Sequence, residues 1–341
     1  MGRKTAMTRI TSPEKTALIN KDNLRLKDDF LLYMKSVQRS PGTISGYDSD
    51  LLILFTYILD NLDNKDFQKL TKRDLISFQN WLVSNGNSSA RVRRVKAAIS
   101  SLSNYCENIL SDDDPEFDGY RSIVRKIENP PLQAVREKTI WEDDELEDLL
   151  DALVDSKKYD KACCLALAMY GGRRKSELTR FRVDDFDDSK LVCDGALYKS
   201  APIQTKGRGG GKYIPCYTLA KKFKPYLDLW MQYRKENGIE SEWLFPAADP
   251  TDHIGISMLN SWAESFSRMQ NKDFYWHALR HFFATSLARA GIPDGVIQSI
   301  VAWDSADMVR VYKDIDADEE IGMYFKDGEI SIPDRKGFND L

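Results

Sequence analysis

The sequence lacks what would place it in a membrane, in an oxidising compartment or around a metal ion. No stretch approaches the roughly 20 apolar residues that span a bilayer. The opening MGRKTAMTRITSPEK has no apolar run of the kind that directs secretion, so a cytoplasmic protein is expected. Cysteines number five. Cys106, Cys163, Cys164, Cys193 and Cys216 are scattered and have no metal-ligand spacing. Cys163-Cys164 falls in the apolar run CCLALAMYGG, where small buried hydrophobes are expected rather than a redox pair. With three histidines in 341 residues, neither a metal site nor a bound cofactor is expected. No internal repeat or low-complexity tract is evident.

An excess of positive charge is missing as well. The net charge of -4 argues, taken alone, against a nucleic-acid binder. Distribution matters more than the sum. Acid gathers in 111–118, 142–151, 184–188 and 314–320, which leaves Arg91, Arg93, Arg94, Lys96, Arg121, Arg125 and Lys126 as locally unopposed cations. A clamp with a basic inside and an acidic outside fits both facts.

What is present is helical periodicity over enough chain for two domains. Residues 1–20 read as a flexible tail. Leu24, Phe30, Leu31, Met34 and Val37 share a helical face, and Pro41-Gly42 is expected to end that element. A second helix runs from Thr43 through Leu59 and a third from Lys72 to Val83, with Leu75, Phe78 and Leu82 inward. Asn85-Gly86 turns the chain. The fourth helix, from Ser88 to about Ile109, sets Ala98, Ile99, Leu102 and Tyr105 on one side and Arg91, Arg94 and Lys96 near its start. Residues 21–110 therefore predict a small all-α domain, and the acid- and proline-containing stretch 111–138 predicts a linker. A second domain, 139–328, opens with capping-box spacing at Thr139-Ile140-Trp141-Glu142, ahead of Leu146, Leu149, Leu150 and Leu153 on one helical face. Residues 329–341 form a carboxy-terminal tail. Within the second domain, LVCDGALYKSAPIQTKGRGGGKYIPC predicts a hairpin or small sheet, with Lys206 at a strand end and Gly207 to Gly211 at the tip. A nucleotide-binding loop is excluded there. The pattern G-x-x-x-x-G-K-[ST] would need Gly at 206 and Ser or Thr at 213, where Lys206 and Tyr213 stand.

Chemistry concentrates in WHALRHFFATSLARAGIPDGVIQSIVAWDSADMVRVY, residues 276–312. His277, Arg280 and His281 lie within about one helical turn and outline an anion site. Gly291 and Pro293 close that helix and open the next. Val296, Ile297, Ile300 and Val301 build the second helix, which delivers Trp303, and a short segment from Ser305 delivers Tyr312. Upstream, Arg173 and Arg174 precede Ser176-Glu177-Leu178. Breaking a phosphodiester by in-line attack spreads negative charge over the non-bridging oxygens, and two fixed guanidiniums, Arg174 and Arg280, match that geometry with forked donors. A phenol, with an ordinary pKa of about 10, can attack phosphorus and later leave without a metal.

These motifs resemble the tyrosine recombinase (phage integrase) family. The family's R-x-S-E-L falls at Arg174 to Leu178, and its K-G…K-x-I/V-P at Lys206-Gly207 and Lys212-Tyr213-Ile214-Pro215. Its H-x-x-R falls at His277 and Arg280. The His or Trp followed nine positions later by the nucleophilic Tyr falls at Trp303 and Tyr312. Where the family usually has Gly-His this chain has Ala302-Trp303, and Trp there is similar to the Cre recombinase branch. The resemblance covers about 24 to 326.

It implies a mainly α fold, in which a helical core-binding domain is joined to an α-rich catalytic domain with a small β-sheet or hairpin. It implies a site-specific DNA recombinase that cuts and rejoins DNA through a 3′-phosphotyrosine and a Holliday junction. By the same resemblance Arg174 and Arg280 hold the phosphate, Glu177 supports Arg174, and His277 assists proton transfer or holds the phosphate. Lys206 protonates the departing 5′ oxygen, Trp303 packs against Tyr312 and donates its indole N–H to the phosphate, and Tyr312 attacks. His281 either supports the site or serves the core. Arg173 is expected to meet solvent or the DNA backbone, and Arg91, Arg93, Arg94, Lys96 and Arg208 are expected to contact DNA.

The expected partners are double-stranded DNA with inverted-repeat core sites and three further copies of the chain, which would be a monomer or weak dimer when free. The source would be a bacterium or phage, with action at the nucleoid. A type IB topoisomerase or hairpin telomere resolvase would share the active-site chemistry, and a non-cleaving DNA-binding regulator would share the fold alone.

Overall fold

The computed structural model describes residues 10–131, 140–205 and 211–303, together with the backbone of the short antiparallel strands β6 (Phe325–Lys326) and β7 (Glu329–Ile330). The described chain divides into two compact units. No described helix is long and apolar enough to cross a membrane.

The first unit is helical. Its elements are α1 (Pro13–Leu18), α2 (Lys21–Ser36), α3 (Pro41–Asn61), α4 (Lys72–Ser84) and α5 (Ser89–Tyr105). The inward faces of α4 and α5 carry the expected periodicity: Leu75, Phe78 and Leu82 from α4, and Val95, Ala98, Ile99 and Leu102 from α5 are all buried. On α2 the expected Phe30 and Met34 are buried, but Leu26 joins them in the core, Leu24 and Leu31 are only partly buried, and Val37 caps the helix end exposed to solvent. Short polar side chains start these helices by accepting from free amides. Ser88 takes the N–H of Arg91, and Thr71 with Asp74 forms a capping box.

Three further expectations for this unit need correction. Pro41 does not end α2. It stands in the first turn of α3 behind the Ser40 cap, a position where its missing N–H costs nothing. The tail reading of 1–20 fails for its described part, because α1 is capped by Ser12 and Ile19 is buried in the core; residues 1–9 lie outside the described chain. The linker reading of 111–138 fails for its first half. After a π-helical turn (Cys106–Leu110), Phe117, Tyr120 and Val124 enter the helical core, and the Tyr120 and Ser103 hydroxyls pair at 2.8 Å. Residues 132–139 are outside the described chain, Thr139 among them. The capping box that opens the second unit is instead Glu142 with Glu145, whose carboxylate accepts the Glu142 N–H at 3.0 Å.

The second unit is built around one helix that is apolar on every side. After α6 (Asp143–Asp155) comes α7 (Tyr159–Gly171), in which every residue from Ala162 to Gly171 is buried. A helix hydrophobic all round must be covered all round. It is packed by α6, by α9 (Ala220–Glu236), by α11 (Trp276–Arg289) and by strand β5 (Tyr217–Leu219). Cys163 and Cys164 sit fully buried in its middle, and burial pushes both thiols well up. Strands β1 (Leu191–Val192), β2 (Leu197–Lys199) and β5 form an antiparallel sheet in that order, with Tyr198 opposite Thr218. Beside it, β3 (Ile203–Gln204) and β4 (Tyr213–Ile214) make the expected hairpin, extended by a Thr205 N–H to Lys212 carbonyl bond of 2.6 Å. The remaining elements are the single turn α8 (Lys175–Leu178), α10 (Ile256–Gln270) and α12 (Asp294–Val301). Gly291 (φ +76) and Pro293 divide α11 from α12 as expected.

The central helix stops at Gly172, whose φ of +59 is the left-handed conformation that favours glycine. A Cβ there would also stand 2.3 Å from Cδ1 of buried Phe283. Gly172→Ala should therefore combine backbone strain with overpacking and cost about 2–4 kcal/mol, read as a lower urea midpoint with an unchanged denaturant slope.

Candidate active site and nucleic-acid interface

The carboxyl end of α7 feeds directly into the first arginine motif. Arg174 caps the α8 turn, its backbone N–H donates to Glu177 Oε2 and its Nη1 to Glu177 Oε1, both at 3.0 Å. Glu177 is fully buried, whereas a third of the Arg174 side chain is exposed. A buried carboxylate thus aims a guanidinium that still faces solvent.

Helix α11 supplies the next groups from one face. Trp276 anchors it by donating its indole N–H to the Leu259 carbonyl at 2.6 Å. His277 and Arg280 follow at a three-residue interval, which places them one above the other. Arg280 is enclosed, with 1% exposure, and donates Nη1 to Gly172 O and Nη2 to Val301 O, both at 2.9 Å. Its guanidinium also lies 5.3 Å from the centroid of the buried Trp303 ring. Trp303 is set by its N–H to the Gln298 carbonyl (3.0 Å) and by Gln298 Nε2 donating back to its own carbonyl (3.2 Å).

His277 keeps part of its ring at the surface. Partial burial, then the nearby Arg280 and Arg174 charges, hold its pKa below the ordinary 6.5. That dependence on both arginines brings Arg174, His277 and Arg280 into one electrostatic neighbourhood. His281 is half-buried and meets His277 edge to face at 5.6 Å between ring centroids. Lys206, Arg208 and Tyr312 lie outside the described residues. Lys206 follows directly on Thr205 at the end of the hairpin strand, and Tyr312 lies nine residues beyond Trp303.

Arg173 requires a correction. The expected solvent or DNA-backbone contact is ruled out by its complete burial. Its Nε donates to Gly171 O at 2.7 Å and its Nη2 to the Ile300 carbonyl. It therefore bonds to the protein interior.

A model of the phage integrase family matches residues 140–319, and a model of the phage integrase N-terminal SAM-like domain matches residues 28–107. The chain belongs to the phage integrase family. Among its relatives is the SPbeta prophage-derived recombinase-like protein YomM of Bacillus subtilis (strain 168), 32% identical over 66% of this chain and 65% of that protein. The tyrosine recombinase XerA of Pyrococcus horikoshii is 24% identical over 88% of this chain and 91% of its own. Among solved structures, XerH recombinase bound to its difH substrate before cleavage has a TM-score of 0.63 at 17% identity, over 87% of this chain and 93% of that one. A lambda integrase dimer bound to a COC′ core site has 0.59 at 15% identity, over 91% and 99%. At these identities the structures show a shared fold.

The first unit, where the SAM-like model matches, carries the expected basic helix start, but its cations are not unopposed. Asp50 on α3 is fully buried, and Arg91 Nη2 and Arg94 Nε approach its two oxygens at 2.5 and 3.2 Å. Burial raises the Asp50 pKa against the pull of both guanidiniums. Arg94 lies so close over Gly46 that a Cβ there would stand 2.3 Å from its Nη2. Arg93 donates to the Pro130 carbonyl at 3.0 Å, Lys96 to that of Ile127, and Arg125 pairs with Glu107 at 2.8 Å. Of the four expected DNA contacts here, Arg94 has the most open side chain, at 54%. Asp50 was missed from sequence. The available signal was a carboxylate in helical register with buried Leu51 and Leu54.

Imidazole NMR should place the His277 midpoint below 6.5. The linked stability is fully present above the unfolded value of about 6.5, because both states are then neutral. As pH falls, the unfolded chain takes the proton first, and stability is lost down through the folded-state midpoint. Urea melts of wild type and His277→Gln between about pH 5 and 7.5 should show that part of the slope in wild type alone.

Proposed function

We propose that this chain is a site-specific DNA recombinase that cuts and rejoins DNA with Tyr312 as its nucleophile. The observation that carries this reading is the convergence of Arg174, His277, Arg280 and Trp303, from three separate stretches of the second unit, on one neighbourhood at the ends of α7 and α12. In the proposed step the Tyr312 oxygen attacks phosphorus in line, and a phosphorus–tyrosine bond forms as the bond to the 5′ oxygen breaks. Arg174, already aimed by Glu177, takes the non-bridging oxygens, and the positive charge of Arg280 stabilises the same developing anion. Lys206 gives the departing 5′ oxygen its proton. His277, largely neutral at pH 7 because its pKa is depressed, can accept the Tyr312 proton or hydrogen-bond the phosphate.

Rejoining is the reverse, with the 5′ hydroxyl of the partner strand as nucleophile. The energy of the broken bond is kept in the phosphotyrosine, so no nucleotide is consumed. The substrate in this reading is duplex DNA with an inverted-repeat core. The first unit positions it through Arg91 and Arg94, and four protomers act on two sites through a Holliday junction.

Covalent trapping on a pool of nicked inverted-repeat duplexes, followed by mass spectrometry of the linked peptide, tests the chemistry. Tyr312 should carry the DNA. Tyr312→Phe should bind the same duplexes with unchanged affinity and form no adduct. An adduct on Tyr324 would overturn the assignment, and binding without any adduct from wild type would favour a non-cleaving regulator. Relaxation of supercoiled DNA lacking any selected site would favour a type IB topoisomerase, and hairpin-ended products a telomere resolvase.

A further inference from the structure

Two enclosed guanidiniums tie the carboxyl ends of two helices together rung by rung. Arg173 bonds the carbonyls of Gly171 and Ile300, and Arg280 bonds those of Gly172 and Val301. Consecutive carbonyls at the end of α7 are thereby matched to consecutive carbonyls at the end of α12. We propose that Arg173 is a positioning residue for DNA cleavage. It forms the second arm of a double guanidinium clamp that holds the α12 terminus, and with it Trp303, against the Arg174 turn. The proposal rests on the recombinase reading given above.

Burying a charge away from water is costly, and among the described residues no carboxylate pairs with Arg173. An apolar side chain could fill the same volume without that cost. What the charge adds is geometry. The last carbonyls of a helix lack partners within it and carry the negative end of its dipole, so a cation placed between two such ends is attracted to both. Arg173 also reaches a third element. Burial raises the Cys216 thiol's pKa, and the strongest opposing influence is the Arg173 guanidinium. Cys216 lies between β5 and β4, the return strand of the hairpin that leads to Lys206. One buried side chain therefore touches the arginine motif, the helix that delivers Trp303 and the base of the lysine hairpin.

The two arms have different duties. Stabilising a phosphate draws on the Arg280 charge, and competes with its hold on Gly172 and Val301. Arg173, enclosed and directed at carbonyls, keeps the α12 end in register while that happens. Its loss should therefore be felt in the chemical step more than in binding.

Arg173→Met preserves length and removes the forked donors, and Arg173→Lys keeps the charge but can serve only part of the bonding. The substrate is the nicked duplex selected by trapping on wild type. Arg173→Met should bind it within about twofold of wild type and cleave it about 100-fold more slowly at saturating protein, the scale of a small misplacement of reacting groups. Arg173→Lys should recover part of that loss. With fluorotryptophan incorporated, the Trp303 fluorine line, assigned through Trp303→Phe, should shift or broaden in Arg173→Met while the lines of the other six tryptophans stay in place.

Unchanged cleavage, or a loss that merely follows the unfolded fraction while the Trp303 line stays put, would overturn the proposal. If the Met variant does not fold, the Lys variant decides by the same two readouts. A wild-type protein that forms no adduct would sink the recombinase reading instead, and the Trp303 line would still decide whether the clamp exists.

Discussion

The carboxyl end of α7 is the constraint on which the second unit depends. A helix buried on every side brings its last carbonyls into a place that water does not reach, and unmet backbone acceptors there are costly. Gly172 turns the chain away in the left-handed conformation, and Arg173 and Arg280 meet the exposed carbonyls. Meeting them fixes much else. Arg280 must come from α11 at one register, which sets His277 one turn earlier. The far ends of both guanidiniums reach the last carbonyls of α12, which sets Trp303. The positive charge that a phosphodiester needs is thus gathered by the requirements of burying a helix end.

The first unit solves a related problem with the opposite sign. Asp50 is taken out of water between α3 and α5, and two guanidiniums compensate it. Removing either would leave a buried charge partly uncompensated. The result is a basic edge whose side chains are held in place. Arg91 is mostly covered and Arg94 half open, so the charge that faces outward has a defined origin. Contacts fixed in this way set the register of a nucleic acid more than they attract it in bulk.

The features that carried through from sequence to structure are those that depend on spacing along the chain. The apolar faces of α4, α5 and α6, the α11–α12 break at Gly291 and Pro293, and the pairing of the lysine hairpin are all of this kind, as is the adjacency of His277 and Arg280 on one face. What failed were signals with two meanings. A proline marks the end of one helix or the first turn of the next, and at Pro41 only the Ser40 cap decides. A capping box needs its partner three residues on, and Glu142 with Glu145 satisfies that spacing as well as Thr139 with Glu142. Charge was the least legible feature of all. Arg91 and Asp50 are far apart in sequence and in contact in space, and nothing in a linear charge count shows it. Arg173 and Arg174 are neighbours in sequence with opposite fates, one wholly enclosed and one aimed outward by Glu177. The turn after Gly172 separates them.

The negative net charge acquires a physical account from the same contacts. Asp143, Asp144 and Glu145 crowd the first turn of α6, where the helix dipole favours them, and Glu145 also accepts from Lys272. Asp185 is buried, its carboxylate accepting the backbone N–H groups of Arg182 and Ala201 at 2.8 Å each. These carboxylates terminate helices and turns, and their charge is spent on local amides. A protein assembled this way has little long-range attraction for a polyanion and, in the proposed recombinase reading, would hold DNA through a small set of placed cations. Each phosphate neutralised contributes a fixed increment to the salt dependence of binding, so an acidic chain with few such cations should release non-specific DNA at modest salt. In that reading discrimination would fall to the positioned arginines, the division of labour a site-specific enzyme requires.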